Sequence, residues 1–318
     1  MSSYEAIYFV VKNKKVGSAI LRGIQISSEL KKHGIPSYVI TENEINKSER
    51  NSIFIWVKGI NKRLVSELSN NVHVYDVVDA YIYKFSKVQK LLNENIVDHV
   101  IVNNSFMKNE IKETTNFKGN VLVIHHHWDP RISSAKKINQ DELRFGFLGS
   151  VASLEHTDNF LHYRELIDTF SVEFYDSELG ESVTDLVKQR KQVKIKHNSC
   201  AMDNLEINFN CHLSIRENDT DVSNYKTTAK LASSAALGHN IITTYERAVA
   251  DVLPSDYPFI LKDTSLDAVK NMFNLVKRDY GGERILWNRA LSMMSDVKDE
   301  LSIKRVIMKY AEMVESLI

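Results

Sequence analysis

Arg216 stands at the carboxyl end of an apolar run, "NCHLSI", and a short polar loop leads from it to "NYKTTAKLASSAALGHNIITT", residues 224–244. Tyr225 and Lys226 precede Thr227 and Thr228, either of which can cap a helix that starts near Ala229. The first turn of a helix exposes unpaired N–H groups and a partial positive charge, which together suit a phosphate. Lys230, one turn in, and Arg216 add two fixed cations, and the chemistry these residue types spell is the seating of a diphosphate. The alternative is a solvated face shared by Lys226 and Lys230, with Arg216 paired to Glu217 or Asp219. Ala232, Ser233, Ser234, Ala235 and Ala236 admit a close approach by a ligand or, equally, tight helix–sheet packing. Gly238 supplies a left-handed stop.

Further candidates also follow apolar runs. Gly149 and Ser150 end "RFGFLGS", where a glycine lets backbone approach a phosphate or a sugar. Asp76 and Asp79, in "VYDVVD", can take a proton from a hydroxyl or serve as caps and surface acids. Gly17 and Ser18, after "AIYFVV", face an acceptor or simply start a helix. "VLVIHHHWDPR" holds three adjacent histidines that alternate in direction along an extended chain, so they do not converge on one metal. A histidine here can donate to a sugar hydroxyl or a phosphate oxygen. His127 is the candidate for the reacting centre and His125 for the acceptor side. The two cysteines, Cys200 and Cys211, have neither metal-site nor disulfide spacing, and no metal is expected.

These residues need strands to carry them to one edge. Short apolar runs alternate with helical patterns throughout: "AIYFVV", "PSYVIT", "SIFIWVKG", "VHVYDVV", "DHVIVNN" and "NVLVIHH" in the first half, then "LRFGFLGS", "VEFYDS", "VKIKHN", "NCHLSIR", "NIITT" and "YPFILK" in the second. Such alternation predicts an α/β chain with parallel sheets covered on both faces. Open sheets of this kind bind ligands beyond the carboxyl ends of their strands. The helix after the first strand is expected to bury Ile20, Ile24 and Leu30. The polar "HWDPRISSAKKINQDE" suggests a linker near residues 130–142, between a Rossmann-like domain over 1–135 and a second over 143–290. Residues 291–318 read as one long amphipathic helix, with Leu291, Met294, Val297, Leu301, Ile307 and Met313 near one face, packing across or against the domains.

The chain is long enough, at 318 residues, for two cores. Lysine plus arginine equals aspartate plus glutamate at 41 each, which removes any global pull toward nucleic acid or an anionic membrane. The start of the chain lacks a basic region followed by a long apolar run, and no segment approaches the roughly 20 apolar residues that span a bilayer. A cytoplasmic location is expected, with peripheral contact on the inner face of the membrane in reach of Lys12, Lys14, Lys15 and Arg22.

The motifs and the architecture together resemble the GT-B glycosyltransferases, two doubly wound Rossmann-like domains facing a central cleft. Tyr225, Lys226, Thr228, Lys230, Ala235 and Gly238 stand where many bacterial members have the tyrosine, lysine, capping residue, lysine, alanine and glycine of their donor-domain pattern. Thr227 and Asn240 stand where that pattern has prolines. "VIHHHWDPR" is similar to the segment that closes the first domain of such enzymes, and "DYPFIL" to a later strand. The resemblance implies an acceptor side in the first domain, with Gly17, Ser18 and His125, and a donor side in the second. Donor contacts would come from Gly149, Ser150, Arg216, Tyr225, Lys226, Thr228, Lys230 and Glu246, and chemistry from Asp76, Asp79 and His127. It further implies transfer of a sugar from a nucleotide diphosphate sugar to an acceptor hydroxyl, glycan or lipid-linked, in surface glycan synthesis and without a metal or other cofactor. Two other readings stand beside it: a transferase acting on nucleic-acid bases, disfavoured by the neutral charge, and a non-catalytic two-lobed protein that binds a nucleotide or sugar.

Overall fold

In a computed structural model of the chain, residues 4–79, 82–137, 141–149, 165–166, 168–176, 181–188, 205–216 and 221–317 are described. They form two compact units: Met1–His127 with Asn224–Thr227 and Ser302–Ile318, and Trp128–Ser223 with Thr228–Leu301. Among the described residues no helix is long and apolar enough to cross a membrane.

The first unit is built on a six-stranded parallel sheet: β1 (Ile7–Val10), β2 (Ser37–Ile40), β3 (Ile53–Val57), β4 (Val72–Asp76), β5 (His99–Val102) and β6 (Asn120–Val123), in the spatial order β2-β1-β3-β4-β5-β6. Every residue of β3, "IFIWV", is buried, as a strand covered on both faces requires. Helices α1 (residues 17–32), α2 (Lys62–Glu67), α3 (Ile82–Asn93) and α4 (Ser105–Thr114) connect the strands. Asn61 and Asn104 cap α2 and α4 with their side chains, accepting from the amides of Leu64 and Met107.

The expected buried stripe of α1 is corrected. A π-helical turn, Ile20–Ile24, interrupts the helix, adding a residue to the turn and rotating the residues after it. Ala19, Arg22, Gly23, Ile26 and Leu30, which ordinary helical spacing already places on one face, are buried, and Ile24, on another face, is exposed. Arg22 thus belongs to the interior rather than to any membrane-facing surface.

The second unit holds another six-stranded sheet, made of β8 (Phe145–Gly149), β9 (Glu173–Asp176), β10 (Glu181–Ser182), β12 (Cys211–Ser214), β13 (Asn240–Thr244) and β14 (Ile260–Leu261). Its spatial order is β10-β9-β8-β12-β13-β14, parallel except for β10 against β9. A small parallel pair, β7 (Lys136–Lys137) with β11 (Glu206–Ile207), lies beside it in the chain. Helices α5 (Ala229–Leu237), α6 (Leu266–Gly281) and α7 (Ile285–Glu300) cover this sheet, with Leu231, Ala232, Ala235, Phe273, Trp287 and Met294 in one core with Phe147, Leu213 and Ile241. Gly238 ends α5 at φ 68°. Asn240, where the resembling pattern has a proline, is buried and donates to the carbonyl of Trp287 at 3.1 Å, tying β13 to α7. Of the expected elements, the strand "VKIKHN" lies outside the described residues.

Two expected boundaries move. The supposed linker is part of the second unit: Ile132 is fully buried beside Leu148, Leu205 and Phe209, and Trp128 donates its amide to Leu301 and its indole N–H to Lys298. The supposed long helix over 291–318 is two helices. Ser302 breaks it by accepting from the amide of Arg305, so α7 closes the second unit and the final helix, Ile303–Ser316, packs Val306, Ile307, Tyr310 and Met313 into the first.

Candidate functional site

In each sheet the strand order reverses at one point, between β1 and β3 in the first unit and between β8 and β12 in the second. Carboxyl ends of strands at such a reversal leave a crevice uncovered by connecting helices. The candidate residues collect at these two edges.

In the second unit, Gly149 ends β8 and Lys230 lies across it. A Cβ on Gly149 would sit 3.3 Å from Lys230 Cε and 3.2 Å from the Phe147 ring, so only glycine lets the lysine stem pass without displacing it. The Lys230 ammonium stands 4.4 Å from the Phe147 ring centroid, a cation–π seat that fixes its position. One strand over, Arg216 follows β12, and its guanidinium pairs with Glu246 beyond β13 at 2.5 Å. Its amide also donates to Thr244 Oγ1 at 3.2 Å. Strands pack roughly 4.8 Å apart, so the Gly149–Lys230 and Arg216–Glu246 pairs stand at neighbouring strand ends. The alternative pairing of Arg216 with Glu217 or Asp219 involves residues outside the described ones, as does the expected contact by Ser150.

Two polar atoms of this edge are left unmet. Thr228 occupies the N-cap of α5, as expected, but makes no capping hydrogen bond. Its Oγ1 is buried and has no partner among the described residues, and the same holds for Glu246 Oε1, whose other oxygen is held by Arg216. A buried hydroxyl and carboxylate oxygen without partners cost free energy unless a ligand meets them.

Tyr225 and Lys226 depart from expectation. The segment Asn224–Thr227 belongs to the first unit, because its groups find their partners there. The Tyr225 ring is buried, stacked 4.6 Å from Phe85 and edge-on to Phe106, and its hydroxyl donates to Glu110 at 3.1 Å. Asn104 donates to the Asn224 carbonyl at 3.0 Å and Asn103 to that of Tyr225 at 3.3 Å. A tyrosine so enclosed has no face to offer a donor. Lys226 instead stands 3.7 Å from Asp79, which also pairs with Lys58 at 2.7 Å.

Asp76 and Asp79 have different tasks. Asp76 is fully buried and takes the Arg22 guanidinium bidentately, at 2.8 and 3.1 Å, together with the Tyr310 hydroxyl at 3.2 Å. Arg22 also donates to the carbonyls of Ile124 and His125. Burial opposes the charge on Arg22, the Asp76 carboxylate outweighs it, and the guanidinium pKa ends above its ordinary value. Burial drives the Tyr310 hydroxyl far upward, with Arg22 working against it. The geometry therefore gives Asp76 a structural role in place of the proton acceptor expected. Asp79 is partly exposed. It follows Val78, which sits at φ 63° and is held there by its amide to Asp76 Oδ1 and by Asn103 on its carbonyl. A β-branched residue in the left-handed region is strained, and such strain clusters at ligand sites.

The three histidines turn back over this edge. His125 Nδ1 donates to the Asn103 carbonyl at 2.8 Å, and His127 Nε2 to the Gln25 side chain at 2.7 Å. All three are buried. Among the described residues no three His, Cys, Asp or Glu side chains group as a metal site would need. Gly17 and Ser18 open α1. Sequence reasoning missed Lys58, Asn103 and Tyr310. A lysine directly after the "IFIWV" strand was a usable signal, whereas nothing local marks Tyr310.

The chain has the GT-B fold, the two Rossmann-like units shared by a large set of glycosyltransferases. It is similar to the sucrose-phosphate synthase of Thermosynechococcus elongatus, at 9% identity and a TM-score of 0.65 over 98% of each chain. It is also similar to Anabaena Alr3699/HepE, solved in complex with UDP, at 10% identity and a TM-score of 0.56 over 98% of this chain and 100% of that one. A third similar structure is an alpha-glucosyltransferase in complex with UDP and a 13-mer DNA containing an HMU base, at 8% identity and a TM-score of 0.57 over 98% of each chain. No family model and no curated protein matches the chain in sequence.

Proposed function

We propose that the protein transfers a sugar from a nucleotide diphosphate sugar to an acceptor hydroxyl. The observation that carries this reading is the edge of the second unit, where Lys230 across Gly149 and the partnerless Thr228 Oγ1 meet at the start of α5. The leaving diphosphate receives the Lys230 ammonium, the Arg216 guanidinium and the amides of the first turn of α5, all fixed before reaction. These cations are the chain's own, and the reading assigns no metal. The buried Glu246 oxygen accepts from a donor hydroxyl. As the bond between the anomeric carbon and the phosphate oxygen breaks, the acceptor oxygen bonds to that carbon and passes its proton to Asp79 on the acceptor side. The acceptor is a glycan or a lipid-linked glycan, met with peripheral membrane contact in the second case. Two of the similar structures were solved with UDP, which makes uridine the first base to try.

The test is to incubate the protein with a panel of nucleotide sugars and to follow nucleoside diphosphate release with and without acceptor extracts. Acceptor-dependent release is expected. Absence of both binding and release across the panel would refute the reading.

A further inference from the structure

The first unit's strand ends gather an excess of positive charge that the sugar transfer itself does not use. Lys58, just past β3 and held at φ 64° by its amide on the Asp76 carbonyl, puts its ammonium 2.7 Å from Asp79. Lys226, delivered by the Asn224–Thr227 segment, stands 3.7 Å from the other oxygen of the same carboxylate. Lys12, just past β1, lies over Gly59: a Cβ there would be 3.0 Å from Lys12 Cε and 3.5 Å from its Nζ. Two ammonium groups thus flank the Asp79 carboxylate and a third, Lys12, lies over Gly59, the residue after Lys58; counted together with Asp79 they carry a formal excess of two positive charges near the point where the strand order reverses between β1 and β3. Lys14 in the same loop is neutralised by Glu44 at 2.8 Å and does not enter the count.

The neighbouring imidazole reports the same field. Burial holds the His126 pKa well below the usual histidine value, and Arg22, His127, Lys58 and His125 push it further down. His126 Nδ1 is buried without a partner among the described residues. Neutral His126 therefore has a ring nitrogen available to a ligand oxygen.

We propose that this edge binds a phosphate group of the acceptor, with Lys12, Lys58 and Lys226 as its counter-charges. A phosphomonoester carries about −1.5 to −2 near pH 7, which matches the excess of two. Lysines serve phosphate as point charges where a planar carboxylate favours arginine. The word acceptor rests on the transferase reading, whereas the phosphate site itself does not. Phosphate here places the acceptor hydroxyl beside Asp79, since the lysines that hold the one flank the other.

The test uses the full chain and inorganic phosphate at constant ionic strength, by titration calorimetry. The Arg216→Met, Lys230→Met double variant serves as background, so that phosphate on the diphosphate seat of the second unit does not obscure the result. Phosphate binding is expected to persist in that background and to weaken about tenfold or more on adding Lys58→Met or Lys226→Met. Lys58→Arg should retain it. Lys12 and Lys58 are exposed and Lys226 is half-buried, and an unchanged thermal midpoint checks that the variants fold. Loss of all phosphate binding in the background variant, or indifference to both lysines, overturns the proposal and leaves the donor reading standing. Persistent phosphate binding with no nucleotide sugar bound by the wild type supports the site and refutes the transferase reading. Sedimentation with phosphatidylcholine vesicles only when they contain phosphatidic acid, and only with Lys58 present, identifies a lipid-borne phosphate; phosphate binding without sedimentation identifies a soluble one. An oligonucleotide held by these lysines without any binding of phosphate or vesicles overturns it.

Discussion

Two aspartates three residues apart, Asp76 and Asp79, separate stability from turnover. Asp76 is enclosed by Arg22 and Tyr310, and removing one member of a buried pair strands the other charge at a cost of about 3–5 kcal/mol. Asp76→Asn should therefore lower the denaturant midpoint severely. Asp79→Asn should leave the midpoint nearly unchanged and reduce turnover, with donor affinity kept. In the second unit, Arg216→Ala or Lys230→Ala should each weaken nucleoside diphosphate binding by about 1–3 kcal/mol, the scale of charge-assisted hydrogen bonds. Unchanged affinity by calorimetry would place the diphosphate elsewhere. The positions of Arg216, Gly149 and Asp79 near strand ends and of Lys230 in the first turn of a helix were legible, because apolar runs and a capping threonine mark those ends in the sequence. The burial of Tyr225 was not, because its partners Phe85, Phe106 and Glu110 lie more than a hundred residues away in the chain.

At the scale of elements, periodicity located the strands because fully buried parallel strands leave unbroken apolar runs such as "IFIWV". It misplaced the face of α1, since the apolar Ile20 and Ile24 drew the stripe away from the face that buries an arginine. The visible sign was Arg22 itself, spaced with Ala19, Ile26 and Leu30 along the buried stripe. The stop of α5 was read correctly and makes a clean test. Gly238 has open space around the position of a Cβ, and its φ of 68° is the whole constraint. Gly238→Ala should cost about 1–2 kcal/mol of stability through that conformation alone, read as a lower melting temperature with donor affinity unchanged. Gly146→Ala differs in kind: its Cβ would fall 2.2 Å from the Phe209 ring, so the β8 region must deform.

At the scale of the whole molecule, acid should find the second unit through its buried histidines. His212 Nε2 and His239 Nδ1 are 3.0 Å apart; burial, then Lys137, pushes His239 down to about 3, and burial, then His239, holds His212 well below its usual value. An unfolded imidazole titrates near 6.5, so between about pH 6.5 and about 3 the unfolded chain binds more protons than the folded one. Stability is complete above the upper limit and falls as pH drops through that window. Melting temperatures between pH 8 and 4 should show this slope, and His239→Gln should flatten it. The number of units was legible from length and alternation, whereas their borders were not. A polar stretch such as "HWDPRISSAKKINQDE" resembles a linker until Ile132 and Trp128 are seen to be packed.

The first unit is assembled from stretches that the second unit separates along the chain, and its Asp76 cluster lacks Tyr310 until residues 302–318 are made. On a ribosome, where chains fold as they emerge, the part synthesised first is therefore finished last. Its sheet face of Ile7, Phe9 and Ile55 waits for Val306, Ile307 and Met313 while the whole second unit is translated, so those apolar strands stay uncovered by the last helix through that interval.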